Sequence, residues 1–490
     1  MTGSTGSTGS TTGGGSPLEL DPGFQGIAIH PGEPGYDASR AVYNGSIDRR
    51  PALIVRPSGT ADVVDAVNAA RRAGLPVAAR GGGHSVAGNG VTEGGVQIDM
   101  SSLKGTWVDP ARHRARTNAG SLWGEFDRET QRYGLATPGG RVTTTGVAGF
   151  TTGGGYGWLS PTFGLTCDNL ISAEVVTADG RVVTASEDEN PDLFWGLRGG
   201  SSNFGLATSF ELAVHPVGPT VLAGMLIHQL DTAVEVIMTY RDYVEQMPEE
   251  LVTGVAIVQA PPAEFVPAEM VGVPVLGILV LWIGDPDEGR TAVNGLRRIG
   301  PPLMDLVQPM PYTTFQTLLD PFNPRGQHNY HRGEHLSGLP DAAIEAYVEA
   351  APQTLSPLTQ AVIFRHGGAV ARVPEMAMAA SHRDAAYMAH PITAWSDPAD
   401  TAENMAWARQ FSEAMRPFTT GGLYLNFETE TTPEIVRRGF TAEKFDRLVE
   451  LKDRWDPENL FRVNQNIPPS GRVTLPEPRE AAAEVTQEQR

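Results

Sequence analysis

The chain has 490 residues, 40% of them hydrophobic and 19% charged, with 37 Lys and Arg against 57 Asp and Glu. That length exceeds what one hydrophobic core organises and predicts two or three domains, and the formal net charge of −20 argues against nucleic acid or anionic membrane as a partner, because both need basic surface. A single cysteine, Cys167, excludes an internal disulfide and any multi-cysteine metal site, so the expected compartment is the cytoplasm.

The chain opens on MTGSTGSTGSTTGGGSP, which lacks the basic and apolar regions of a secretory signal and predicts a flexible tail over residues 1–25. From about residue 47 short β-branched runs alternate with helical stretches. PALIVRPSG reads as strand and turn. TADVVDAVNAARRAG reads as a helix, with Thr60 and Asp62 placed to cap it, Val63, Val64 and Val67 on one face, and Gly74 ending it. LPVAAR is the next strand and delivers RGGGHSVAGNG, residues 80–90. Glycine runs let backbone N–H groups approach a ligand closely, which suits a pyrophosphate. A glycine-rich surface turn with a solvated His84 fits this stretch about as well as a dinucleotide loop. Two further glycine clusters follow, GVAGFTTGGGYGWLSPTFGL (146–165) and WGLRGGSSNFGLAT (195–208), with a hairpin expected between them at Asp179-Gly180. Three such clusters bounded by strands are hard to explain as unrelated turns.

Past Pro216 the glycine clusters stop, and longer helices such as DAAIEAYVEAA and ENMAWARQFSEAM alternate with apolar strands. The run VGVPVLGILVLWIG (271–284) is too short to span a bilayer and reads as a buried strand. GQHNYHRGEHLSG contains His328, His331 and His335. The spacing suggests a metal, but no carboxylate or cysteine is placed to close a site, and a strand with Tyr330 and Arg332 on one face and His331 on the other fits better. His366 and the stretch around Tyr387 are expected pocket walls.

RGGGHS, the GGGYG run, DLFWGLRGGSSNFG, YLNF at 424–427 and DPENLF…NQNIP occur in this order. With them, residues 40–470 resemble the berberine-bridge-enzyme-like flavoproteins of the vanillyl-alcohol-oxidase (PCMH-type FAD-binding) superfamily. The resemblance implies an α+β fold. A two-subdomain FAD-binding domain (40–217) would be followed by a substrate domain with an antiparallel sheet backed by helices (218–429). A carboxy-terminal segment (430–472) would return to the FAD domain, leaving 476–490 disordered. The implied cofactor is FAD, bonded covalently through His84 to its 8α-methyl group. Its implied contacts are Arg80, Gly81, Gly82, Gly83, Ser85, Gly88, Gly120, Thr145, Gly146, Gly149, Gly153, Gly154, Gly155, Asn203, Gly205, Asn426, Asn464 and Asn466.

Many relatives carry a second bond from a cysteine to flavin C6. That position falls here on Val142, which implies attachment through His84 alone and leaves Cys167 a buried small hydrophobe. The Y-x-N pattern implies that Tyr424 takes the substrate proton and that Tyr156 orients the substrate or supports the phenolate. A strand tyrosine packed on the sheet is the other reading of Tyr424. The implied activity is transfer of hydride from a C–OH, C–N or C–H bond of a small organic molecule (sugar, alkaloid or other secondary metabolite) to flavin N5. Thr145, at a position that gates oxygen in relatives, favours O₂ as acceptor. A dehydrogenase with another acceptor and a non-catalytic flavin carrier are the alternatives. Monomer and homodimer are both compatible with the sequence.

Overall fold

The computed structural model describes residues 18–263, 266–351 and 356–471. Of the segment expected to be a flexible tail, residues 1–17 lie outside this range. Residues 18–25 are engaged: Leu18, Leu20 and Phe24 pack on the main core, and the Gln25 amide donates to Asp62. The tail expected at 476–490 also lies outside the described residues.

Among the described residues three large sheets, and a two-stranded one that pairs His215–Pro216 with Leu135–Ala136, build an α+β fold. In the first, Leu53–Arg56 and Val77–Arg80 flank Val96–Asp99 in parallel, and Ile27–Ile29 adds an antiparallel edge. The helix Thr60–Ala73 covers it with Val63, Ala66, Val67 and Ala70, spaced for one helical face. It ends at Gly74 as expected, but its N-cap is Gly59. Thr60 is instead the first helical residue, and Asp62 accepts from the Ser58 amide. The second sheet orders Thr106–Asp109, Arg114–Asn118, Leu206–Ala213, Leu170–Val176 and Val182–Ser186, with the hairpin at Asp179-Gly180 in place.

The third sheet has ten antiparallel strands, with Thr220–Gln229, Pro274–Trp282, Leu251–Gln259, Gln360–Arg365 and Tyr387–Trp395 at its centre. Strand side chains alternate between faces. One face carries Leu226, Ile278, Val255, Ile363 and Ala389, which pack with Ile237, Tyr347, Trp407 and Phe411 of the covering helices. The other face is set by register in three rows: Met225, Leu279, Gly254, Phe364; then Ile227, Gly277, Ala256, Val362, His390; then Val275, Val258, Gln360, Ile392, His331. This second face looks onto the glycine loops.

The chain then returns to its beginning. On the helix Ala442–Trp455, Lys452 Nζ donates to Asp456 Oδ2 at 2.7 Å and to the carbonyls of Asn203 (2.8 Å) and Phe461 (3.0 Å). Asn203 in turn accepts from the Ile467 amide at 3.0 Å, and the Val77 amide donates to the Leu460 carbonyl. Among the described residues no helix is long and apolar enough to cross a membrane.

Asp127 is a carboxyl buried without a cation. Asp127, on the helix Trp123–Thr130, accepts from Gln316 Nε2 at 2.9 Å through one oxygen, and its other oxygen has no partner. Burial pushes its pKa up to about 7. The unfolded carboxyl ionises near 3.9, so the folded state loses stability as pH rises from about 4 to 7. Asp127→Asn should therefore stabilise the protein by about 1 kcal/mol or more at pH 8, with a gain that shrinks towards pH 4. Thermal unfolding across that range checks it.

Candidate active site

A cavity of about 640 Å³ lies between the loop after Val77–Arg80 and the inner face of the large sheet. Gly81, Gly82, Gly83, His84 and Ser85 form one wall with Gly146 and Gly149. Gly82 and Gly146 pack backbone on backbone. A Cβ on Gly82 would sit 2.4 Å from the Gly146 nitrogen, and one on Gly146 2.2 Å from the Gly82 nitrogen. These two glycines are thus required by each other, whatever ligand the loop meets.

His84 is half-buried. Its ring stacks on Tyr43, with centroids 4.0 Å apart and planes 17° from parallel, and its Nε2 lies 3.2 Å from Thr144 Oγ1. Burial, with added repulsion from Arg325, pushes its pKa down to about 3, so the ring is neutral at pH 7. A neutral imidazole keeps a nitrogen lone pair, which a bond to carbon requires.

Of the residues singled out in the sequence, Arg80, Thr145, Tyr156, Gly205, Asn426 and Asn464 also line this cavity, as does Val142. Others stand behind it. Gly88 packs against Ile47 and Gly120 against the Met100 carbonyl. Asn203 fastens the returning tail, while Asn466 is off the cavity wall with both amide atoms unpartnered. Gly153 and Gly154 line a second, small cavity with Tyr424, His335 and His366. Tyr387 was expected as a pocket wall, but its residue parity turns it to the helix-covered face, where its hydroxyl meets Glu245 at 3.4 Å. Cys167 is buried on neither cavity, with Sγ 3.6 Å from Met378 Sδ, and burial pushes its thiol far up.

Tyr424 holds an unusual hydroxyl. Its oxygen accepts from the amides of Gly155 (3.0 Å) and Tyr156 (2.9 Å) and from Asn426 Nδ2 (3.1 Å). Asn426 Nδ2 also reaches the Phe150 and Gly153 carbonyls, which fixes its amide orientation. A protonated phenol offers two lone pairs, so three donors suit the phenolate better. Burial opposes them and leaves the pKa raised to about 12. Gly155 thus acts through its amide on Tyr424. Tyr156 donates its own hydroxyl to the Arg365 carbonyl.

The histidines of GQHNYHRGEHLSG separate. His328 packs near Trp395, His331 lies 5.3 Å from His390, and His335 joins His366 and His382. Among the described residues no group of three or more His, Cys, Asp and Glu is arranged to hold a metal. His331 faces the cavity, while the Tyr330 hydroxyl donates to Glu430 at 2.7 Å.

Sequence reasoning missed Arg141, Gln360 and His390, all on the cavity wall. Arg141 is buried, with its guanidinium carbon 3.5 Å from the Phe364 ring centroid and 4.6 Å from those of Tyr156 and Trp158. Burial pushes its pKa down to about 10, which still leaves it charged at neutral pH. The alternation of QAVIFR carried a signal: Gln360 falls on the same parity as inward Val362 and Phe364.

Residues 51–186 match the FAD binding domain family, and residues 423–468 match the family described as berberine and berberine like. The chain is an FAD-linked oxidoreductase similar to the berberine-bridge-enzyme-like proteins. Among its relatives is (R)-6-hydroxynicotine oxidase of Paenarthrobacter nicotinovorans, 29% identical over 469 residues, 91% of this chain and 98% of that one. An uncharacterised FAD-linked oxidoreductase of Bacillus subtilis is 29% identical over 451 residues, 89% of this chain and 95% of that one. The crystal structure of 6-hydroxy-D-nicotine oxidase from Arthrobacter nicotinovorans superposes with a TM-score of 0.82 at 28% identity, covering 92% of this chain and 99% of that one. A berberine-bridge-enzyme-like protein of Physcomitrella patens shares the fold, with a TM-score of 0.81 at 23% identity over 91% of this chain and 97% of that one. This family's cofactor fits the residues present. The glycine wall exposes backbone to the cavity, and Asn464 Oδ1 is buried there without a partner.

Proposed function

We propose that this FAD-linked oxidoreductase is an oxidase of a small organic molecule, with its flavin attached covalently through His84 alone. The observation that carries the reading is one continuous cavity, walled by the glycine loop with His84 and by the inner face of the large sheet. Bound FAD would supply the acceptor for hydride from a C–OH, C–N or C–H bond, and O₂ would then take the electrons to give H₂O₂. The neutral His84 ring, held by Tyr43 and Thr144, would form the tether, and valine at 142 leaves no thiol for a second one. Thr145 lines the cavity with a short side chain, which supports oxygen access. Tyr424 would take the substrate proton from behind the wall: its ring lines the small neighbouring cavity, while Tyr156 and Asn426, which donate to its oxygen together with the Gly155 amide, line the main one. The proposed setting is cytoplasmic secondary metabolism.

A panel of small alcohols, amines and phenols, mixed anaerobically with the yellow protein, tests the reading. The oxidase reading expects at least one to bleach the flavin, and air to restore the colour within seconds with release of peroxide. A flavin that stays reduced in air but reoxidises with a quinone would make the protein a dehydrogenase. Failure of every compound would favour the non-catalytic carrier.

A further inference from the structure

This inference rests on the reading of the main cavity as a flavin-linked substrate site, and names the substrate's chemistry. Three side chains on that cavity are almost wholly buried and have polar atoms with no partner in the protein. Arg141 is 8% exposed with Nε unbonded, Gln360 is 6% exposed with Nε2 unbonded, and His390 is 4% exposed with both ring nitrogens unbonded. They are close together. Gln360 and His390 stand on neighbouring strands one row apart on the inner face. Phe364, on the Gln360 strand, lies under the Arg141 guanidinium with its centroid 6.4 Å from that of His390.

Aromatic faces stabilise a guanidinium but leave its N–H edge unsatisfied. The groups that bear on Arg141 are two phenols, Tyr156, which also hydrogen-bonds the guanidinium, and Tyr424; both are neutral near pH 7, and no carboxylate is among them. A buried cation without a counter-ion is costly unless a ligand completes it. Around this group the wall is apolar: Met225, Leu279, Val362 and Ile392. A sugar would need a partner for each hydroxyl, and this wall supplies few. A flat apolar body with one charged oxygen group matches it.

We propose that Arg141 anchors the anionic oxygen group of an aromatic substrate, a carboxylate or a phenolate, with Gln360 and His390 bonding its remaining polar atoms. The opposite assignment would give Arg141 to the negative charge of the reduced flavin.

The FAD-loaded protein, titrated by calorimetry with 2-naphthoate and with its neutral counterpart 2-naphthamide, separates the two. The naphthoate should bind about tenfold or more tightly than the amide. Arg141→Met should bring that ratio to about one while the amide's affinity stays within about threefold. A native ratio near one overturns the proposal whatever the variants do. So does an Arg141→Met protein that keeps the ratio and shows only a lowered flavin potential. Should Arg141→Met not fold, Arg141→Lys keeps the charge but loses the planar fork; it should retain part of the ratio, and an undiminished ratio there overturns the proposal. Protein that purifies without FAD contradicts the flavin reading itself, and its visible spectrum reveals this before any titration.

Discussion

Replacing Tyr424 by phenylalanine should slow flavin reduction on the order of 10²-fold or more, the usual size of a general-base contribution. The ring and its packing against Phe427, 4.8 Å between centroids, remain. What disappears is the oxygen that the Gly155 and Tyr156 amides and Asn426 share. With its pKa raised to about 12, the phenol is protonated near neutrality. The fraction available as base therefore grows with pH, and the native rate of flavin reduction should climb through pH 10 without levelling. Tyr424→Phe should lose that limb. A tyrosine with only a packing role would give another pattern, with stability down by about 1 kcal/mol and the rate unchanged. Rapid mixing of native and variant protein with substrate across pH distinguishes them. An unchanged profile in the variant would pass the proton to His390, which lines the main cavity with both nitrogens free.

The second large effect lies in the returning tail. Asp456→Ala should cost about 3–5 kcal/mol, because it leaves the Lys452 ammonium buried and without its carboxylate. It also releases two amides, Leu460 and Phe461, that Asp456 accepts from at 2.8 Å each. The consequence reaches the cofactor. Val463, Asn464 and Gln465 line the cavity just beyond, so FAD retention should fall along with stability. The double variant Lys452→Met, Asp456→Leu should recover only the part due to the unpaired charge, since it still leaves the Leu460 and Phe461 amides and the Asn203 and Phe461 carbonyls without these partners. Denaturant unfolding and flavin absorbance of the three proteins check both parts. If Asp456→Ala unfolds like the native chain, the pair does not fasten the tail.

How far the residues alone reveal this molecule depends on what each feature needs. The glycine loops were legible because close backbone approach excludes every other side chain. Yet Gly82 and Gly146 turned out to need each other, a contact between segments 64 residues apart (146 − 82) that no local pattern encodes. The buried strand Pro274–Trp282 and the amphipathic helix Thr60–Ala73 were legible from periodicity. The cap of that helix was not, since Asp62 was drawn off by the Ser58 and Gln25 amides. Arg141 stood unnoticed between glycine and valine. Its meaning comes from Phe364 and Trp158, which only the packing of its loop against the large sheet and the 153–159 segment brings to it. His390 and Gln360 became pocket residues once the strand register was known, because a shift of one residue would have turned both to the helices.

The most direct test of the account is the position of the flavin itself. Holoprotein precipitated in acid, washed and digested should yield one yellow, fluorescent peptide carrying the flavin mass on His84. His84→Ala, treated in the same way, should release its flavin to the supernatant. Flavin released by acid from the native protein, or found on the peptide containing Cys167, would contradict the account.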